Sequence, residues 1–302
     1  MGRIVTVALL LVVIVAGVVG GVPRVRAALF GVPLRMQFRE GQETRIKQAI
    51  EGTLRLDVSG LPENILPQSA AAMFNADVPF EVELRSRQVV KRVSDGVAEV
   101  ESRGEGGSIK MRLPGGGEPI RYTVPESEAV RYKIGPEGRV EYTVTAAPQG
   151  GVRATDIEKM QNLFASLSSA AVPGDRCRTG AAWSQDINLP VHSGGVKATV
   201  NGTVKSTFET VTSKLGHTVA DIRRVHDIKV DLDVTAAPAG SRIDGSIHGA
   251  DDTYFDWIEG RNLATEGSLT FDLTLEMKRQ ALQPLDAKAH LTGSVRLKSE
   301  TL

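Results

Sequence analysis

The chain has 302 residues, room for one large domain or two of ordinary size. Its 36 Lys+Arg balance 36 Asp+Glu, so no global field steers it to nucleic acid, and 5% aromatic content argues against a stacking platform for bases or sugars. One cysteine, Cys177, excludes an intramolecular disulfide and a thiolate metal site, although Arg176 and Arg178 beside it would favour the thiolate if it were exposed.

The N-terminus reads as an export signal. Arg3 opens a basic start, Ile4 to Val22 is uncharged, and Val25-Arg26-Ala27 resembles a peptidase site, predicting residues 1–27 as a signal peptide and Ala28 as the mature start. The apolar run is long enough that an uncleaved anchor in the plasma membrane, through residues 4–22, is the alternative. Either way the body of the protein is expected outside the cytoplasm, periplasmic or extracellular.

The body reads as antiparallel β-structure. "TRIKQAIEGTLRLDV" places Ile46, Ile50, Leu54, Leu56 and Val58 on one parity and Arg45, Lys47, Glu51, Arg55 and Asp57 on the other. The same alternation recurs at 80–84, 109–113, 140–144, 228–234, 269–277 and 291–297. Turn chemistry separates these strands at Ser94-Asp95-Gly96, Gly135 to Gly138, Lys214-Leu215-Gly216 and Glu259 to Asn262. Asn201-Gly202 fits either a two-residue hairpin or a glycine within one long strand.

"TDIEKMQNLFASLSSA" predicts one amphipathic helix, with a capping box at Thr155 and Glu158 and an apolar stripe of Ile157, Met160, Phe164 and Leu167. A second, shorter helix is expected within 65–77. Matched segments in the two halves ("PEGRVEYTV" and "TEGSLTFDL", "VAEV" and "VADI", "IKMRL" and "IKVDL", "IEGTLR" and "VNGTVK") occur in the same order. They predict an internal duplication. The expected fold is mainly β: a first antiparallel unit over 28–152 with an insertion near 61–79, a linking helix within 153–173, and a second unit over 174–302. Each would be a twisted sheet or half-barrel.

Within the second unit, "TGAAW" (179–183), "VADI" (219–222) and "EGSLTFDL" (266–273) resemble an uncharacterised family of exported bacterial β-sheet proteins, over about 174–277. The resemblance implies an exported β fold and no particular activity. That family often carries a lipid-modified cysteine, which is absent after the apolar run here.

The densest chemistry lies in "HGADDTYFDWIEGRN", residues 248–262. Asp252, Tyr254 and Asp256 would share one face of a strand, which makes Asp252 and Asp256 the candidate ligands of a weakly bound cation. The competing expectation is a structural hairpin, with Trp257 packed, Glu259-Gly260-Arg261-Asn262 as its turn and Asp251, Asp252 and Asp256 solvated. His192, His217, His226 and His290 are scattered outside any zinc spacing, and no nucleophile elbow, Walker loop or dinucleotide fingerprint occurs. Tyr122, Tyr132, Tyr142, Trp183 and Trp257 are expected to pack at sheet edges, or to line a groove for an apolar ligand.

The expectation is therefore a non-enzymatic, exported envelope protein, a binding module without catalytic residues or cofactor. Its partner would be another protein or a hydrophobic small molecule, and not nucleic acid. A carrier of lipid in a half-barrel cavity is the alternative. A hydrolase or cation-binding protein using 248–262 is the second alternative.

Overall fold

The computed structural model describes residues 30–59, 75–114, 117–127, 129–142, 171–193, 196–234, 241–277 and 287–302. The expected signal peptide and linking helix lie outside these residues. So does most of the expected 65–77 helix, whose last residues are a turn at Asn75 and the start of a strand at Asp77.

The described chain is mainly strand. In order these are β1 (Val32–Pro33), β2 (Glu43–Ser59), β3 (Asp77–Ser94), β4 (Val97–Met111), β5 (Ile120–Val124), β6 (Val130–Ile134) and β7 (Val140–Tyr142). There follow β8 (Arg176–Cys177), β9 (Ala182–Ser193), β10 (Val196–Lys214), β11 (His217–Val234), β12 (Ser241–Asp256), β13 (Arg261–Met277) and β14 (Ala287–Thr301). Twelve form one antiparallel sheet, β7-β6-β4-β3-β2-β14-β13-β12-β11-β10-β9, with β5 also on β4, and β1 pairs with β8 separately. The sheet is not closed into a barrel. Its two halves do not form separate sheets: β2 and β14 pair from Ile46↔Thr301 to Ser59↔Lys288, a seam running the length of both strands.

Alternation along the strands sorts the side chains. One face carries cross-strand ion pairs such as Arg87–Glu43, Lys110–Glu81 and Arg223–Asp252. The other, inner face carries Leu54, Leu56, Ile228, Ile247, Phe271 and Leu291. Gly202 sits inside β10, so Asn201-Gly202 is strand and not a hairpin. The tight turns fall where expected at Asp95-Gly96 and Leu215-Gly216, with positive φ at all four residues (53°, 80°, 50° and 82°), as two-residue hairpin loops require.

Glycines on the inner face stand where neighbouring strands approach closely. A Cβ at Gly245 would overlap the Asp272 carbonyl oxygen and approach the Leu273 Cα to 2.7 Å. At Gly293 a Cβ would overlap both the Thr53 carbonyl oxygen and the Phe271 ring. Only glycine permits so close an approach of the neighbouring backbone.

The sealed core lies at one end of the sheet. The segment Val32 to Phe38 crosses there as a strap. Its backbone bonds to Asp175, to Pro136 and, from Gln37 N–H at 2.9 Å, to the Gly260 carbonyl. Val32 and Leu34 fill one cluster with Phe208, Ile222 and Phe255. Met36 and Phe38 pack on a second cluster of Val90, Ala98, Val100, Tyr132 and Ile134.

Candidate functional site

The stretch 248–262 is a hairpin: β12 up to Asp256, a turn over 257–260 with Gly260 at φ 64°, then β13 from Arg261. The turn lies two residues earlier than the sequence suggests, and Asn262 belongs to the strand. Register divides the acidic residues. Arg224 stands opposite Asp251, and Arg223 opposite Asp252.

Two of the three aspartates expected in solvent are buried. Asp251 is 4% exposed on the inner face, beside Arg224 at 1% and His226 at 3%. Arg224 donates from Nε (2.6 Å) and Nη2 (2.9 Å) to its two carboxylate oxygens, and His226 Nε2 donates at 2.6 Å. Thr253 Oγ1 adds a contact at 3.3 Å. Burial alone would raise the Asp251 carboxyl, but the Arg224 charge and the bonds from His226 and Arg224 outweigh it and hold the group below its ordinary value. A buried guanidinium directly across the ladder is what makes a buried carboxylate tolerable.

Asp256 is also buried, at 2% exposure. One oxygen accepts the N–H groups of Ile258 (2.9 Å) and Glu259 (3.1 Å), closing the turn, and the other accepts from His217 Nδ1 at 2.8 Å. Asp252 is partly exposed on the outer face and paired with Arg223 at 2.9 Å. Asp252 and Asp256 thus have separate partners, Arg223 on one and His217 on the other. His248 is exposed and faces Asp227 at 3.3 Å. A different trio, His217, Asp256 and Glu259, brings its ligand atoms within 4.8 Å of one another. Its atoms are already engaged, Glu259 with Arg261 at 2.6 Å and Asp256 as above.

The outer face beside this hairpin holds one perturbed acid. Asp221 is pushed up from 3.8 to about 6, first by burial and then by the charges of Asp252 and Glu209. Its Oδ1 is buried without a hydrogen-bond partner. Lys214 lies 4.2 Å from the centre of the Tyr254 ring and 2.9 Å from Glu266. Burial, then Asp221, raises the Tyr254 phenol.

The aromatic residues divide between packing and a cleft. Trp183 and Trp257 pack on the first core cluster, and Trp183 Nε1 donates to the Ala171 carbonyl at 2.8 Å. Tyr132 is buried and lines the cleft, Tyr122 is exposed, and the Tyr142 side chain lies outside the described set. The Cys177 thiol is raised by burial and by Asp175, the opposite of the activation its arginine neighbours suggest.

A cleft of about 170 Å³ opens on the inner face under the strap. Its polar lining comes mainly from amides and hydroxyls, among them Gln48, Gln88, Ser102, Thr265 and Ser299. Among the described residues, the charged ones on it are Arg85 and Arg261. Arg261 and Asn262 border the cleft, while Arg261 Nε and Asn262 Oδ1 are themselves sealed from solvent without hydrogen-bond partners. Further along the same strands the inner face turns apolar. Leu54, Phe80, Ile247, Phe271, Leu273 and Leu291 are only half-buried, although they occupy five consecutive strands in the middle of the sheet. Among the described residues, neither core cluster includes them. Sequence alternation shows that these positions share a face; it does not show how deeply each is buried.

No protein-family model matches the chain, and no curated protein sequence matches it.

Proposed function

We propose that the protein is an exported, non-enzymatic binding module whose ligand surface is the concave inner face, and that the ligand has an apolar body. The carrying observation is the trough of half-buried apolar side chains across β12, β13, β14, β2 and β3. A large side chain fully removed from water contributes about 1.5–3 kcal/mol. Phe271, Leu273 and Leu54 are only partly buried and leave a fraction of that unrealised, which a ligand lying along the trough recovers. The inward glycines support the same reading, because at Gly245 and Gly293 they leave that face without a side chain, which a half-barrel around a ligand would use.

The 248–262 acids lend no support to hydrolysis. Asp251 and Asp256 are occupied by structural partners, and Asp252 faces the other side of the sheet. Export rests on the residue 1–27 pattern. Intact mass of the protein from its native envelope tests it: a mature start at Ala28 is expected, and a full-length cytoplasmic chain overturns it.

The binding reading is tested with N-phenylnaphthylamine, an apolar fluorophore that brightens out of water. Saturable binding of the probe is expected, weakened about tenfold or more by Phe271→Asp or Leu54→Asp. Absence of saturable binding by the well-folded wild-type protein sinks the proposal.

A further inference from the structure

Two neighbouring hairpins end in large aliphatic side chains held out in solvent. We infer that the apices of β10–β11 and β12–β13, carrying Leu215 and Ile258, are a docking surface that inserts into the apolar margin of a lipid bilayer. This inference goes beyond the binding reading above and does not depend on it.

Leu215 and Ile258 are 54% and 70% exposed. Turn apices favour Gly, Asn and Asp, which accept left-handed backbone or bond to it. Leu215 holds φ at 50° without gaining burial, and a Cβ at its neighbour Gly216 would meet nothing within 4 Å, so this apex stands clear of its surroundings. The two apices are fixed side by side. His217, the first residue after one turn, donates from Nδ1 at 2.8 Å to Asp256, the last residue before the other. The second oxygen of Asp256 accepts the N–H groups of Ile258 and Glu259 and so sets the shape of that turn.

A bilayer suits these apices better than a protein does. Protein interfaces use a contiguous patch with aromatic or arginine anchors at its centre. Here single aliphatic side chains stand on separate apices, and a bilayer requires no matching surface. Charge beside them is balanced, with Lys214 on Glu266 at 2.9 Å and Arg261 on Glu259 at 2.6 Å, so the surface is suited to apolar insertion and not to capture of anionic headgroups. The chain also enters at this end. Phe30, 61% exposed, follows closely on the apolar run Ile4 to Val22, and the strap after it bonds from Gln37 N–H to Gly260 of the β12–β13 turn. An N-terminus held in a membrane is thus tied to the end of the sheet that carries Leu215 and Ile258.

The experiment is quenching of tryptophan emission by vesicles of phosphatidylcholine brominated on its acyl chains. Two variants of the full chain, purified from the envelope, are compared with the wild type: Ile258→Trp at the apex, and Lys288→Trp at the opposite end of the sheet, on the order of 40 Å away along β14. Bromine is expected to remove about half or more of the emission added at position 258 and almost none of that added at 288, with little change between low and high salt. This contrast reads the orientation of the sheet whether or not the N-terminus is also in the membrane. Adding Leu215→Asn is expected to reduce the quenching at 258 about twofold or more; thermal melts establish that each variant is native before its quenching is compared. Equal quenching at the two positions, or none at 258, overturns the inference. So does quenching that requires anionic vesicles and vanishes in high salt. If the protein ignores vesicles and self-associates in a manner that Ile258→Asp abolishes, the occupant is a second copy and the bilayer is overturned. Binding of N-phenylnaphthylamine is measured separately, so its failure leaves this docking surface standing, and failure of docking leaves the apolar-ligand reading standing.

Discussion

Arg224 grips Asp251 through two hydrogen bonds, of 2.6 and 2.9 Å, on the inner face of the sheet, where both side chains are almost entirely out of water. The pair sits on adjacent strands in direct register, and His226 shares the same carboxylate. Asp251→Ala is expected to lower stability by about 3–5 kcal/mol, because it removes the buried carboxylate that accepts from both Arg224 and His226. Asp252→Ala, one residue along but on the outer face, breaks a surface pair and is expected to cost about 1 kcal/mol or less. Urea denaturation of both variants checks the contrast, and equal losses would refute the assignment of the two aspartates to opposite faces. The Asp251 carboxyl is held below its ordinary value when folded, so its contribution is present above the unfolded pKa and fades as pH falls through the folded one.

Asp221 has the opposite sign. Its folded pKa is raised to about 6 from 3.8. Below pH 4 both states hold the proton. Between pH 4 and 6 the unfolded chain releases it and the folded chain retains it, so this residue makes the fold less stable as pH rises. A two-unit shift corresponds to about 3 kcal/mol, which partial exposure reduces to about 1–2 kcal/mol. Asp221→Asn is expected to gain that amount at pH 7 and little at pH 4. Thermal melts across the range decide it, and an equal effect at both pH values would argue against a retained proton.

Strand alternation made the antiparallel β class and most strand positions legible, because period two with charged alternates has few other meanings. The seam between β2 and β14 was not legible, since pairing between the first and last strands of the body depends on tertiary closure. Nor was the ion pair: "RRVH" and "ADDT" carry paired like charges that read as solvent-facing until register opposes Arg224 to Asp251. The strap did carry a signal, Val32, Leu34, Met36 and Phe38 at period two, but its strand pairing is confined to two residues and its apolar faces meet two different clusters. The cleft depends on how Met36, Gln37 and Phe38 of the strap pack over the strands, a property of tertiary packing that no spacing encodes.

Leu215 is the least suited residue in either tight hairpin. It holds φ at 50° and leaves its side chain 54% exposed, so left-handed strain is not offset by burial. The equivalent position of the other hairpin is Asp95, which tolerates this conformation better. Leu215→Asn is expected to raise stability by about 0.5–1 kcal/mol without altering the fold, measured as a higher denaturation midpoint at unchanged slope. A loss of stability would mean that the leucine makes a packing contribution larger than the strain it carries.

Gly293 tests the curvature on which the binding surface depends. It lies on β14 between β13 and β2, with Phe271 over it on one side and the Thr53 carbonyl on the other. A single methyl group there has no space, and the carbonyl cannot swing aside without breaking the β2–β14 ladder. Gly293→Ala is therefore expected to cost about 1–3 kcal/mol, as overpacking does, despite the better strand propensity of alanine. Part of that strain is relieved if the Phe271 ring gives way, so Gly293→Ala with Phe271→Leu is expected to recover a fraction of the loss and not all of it, the Thr53 clash remaining. Denaturant melts of the two single variants and the double variant measure the coupling. If Gly293→Ala proves neutral, the strands do not approach as closely as the concave face requires, and the half-barrel account of the trough falls with it.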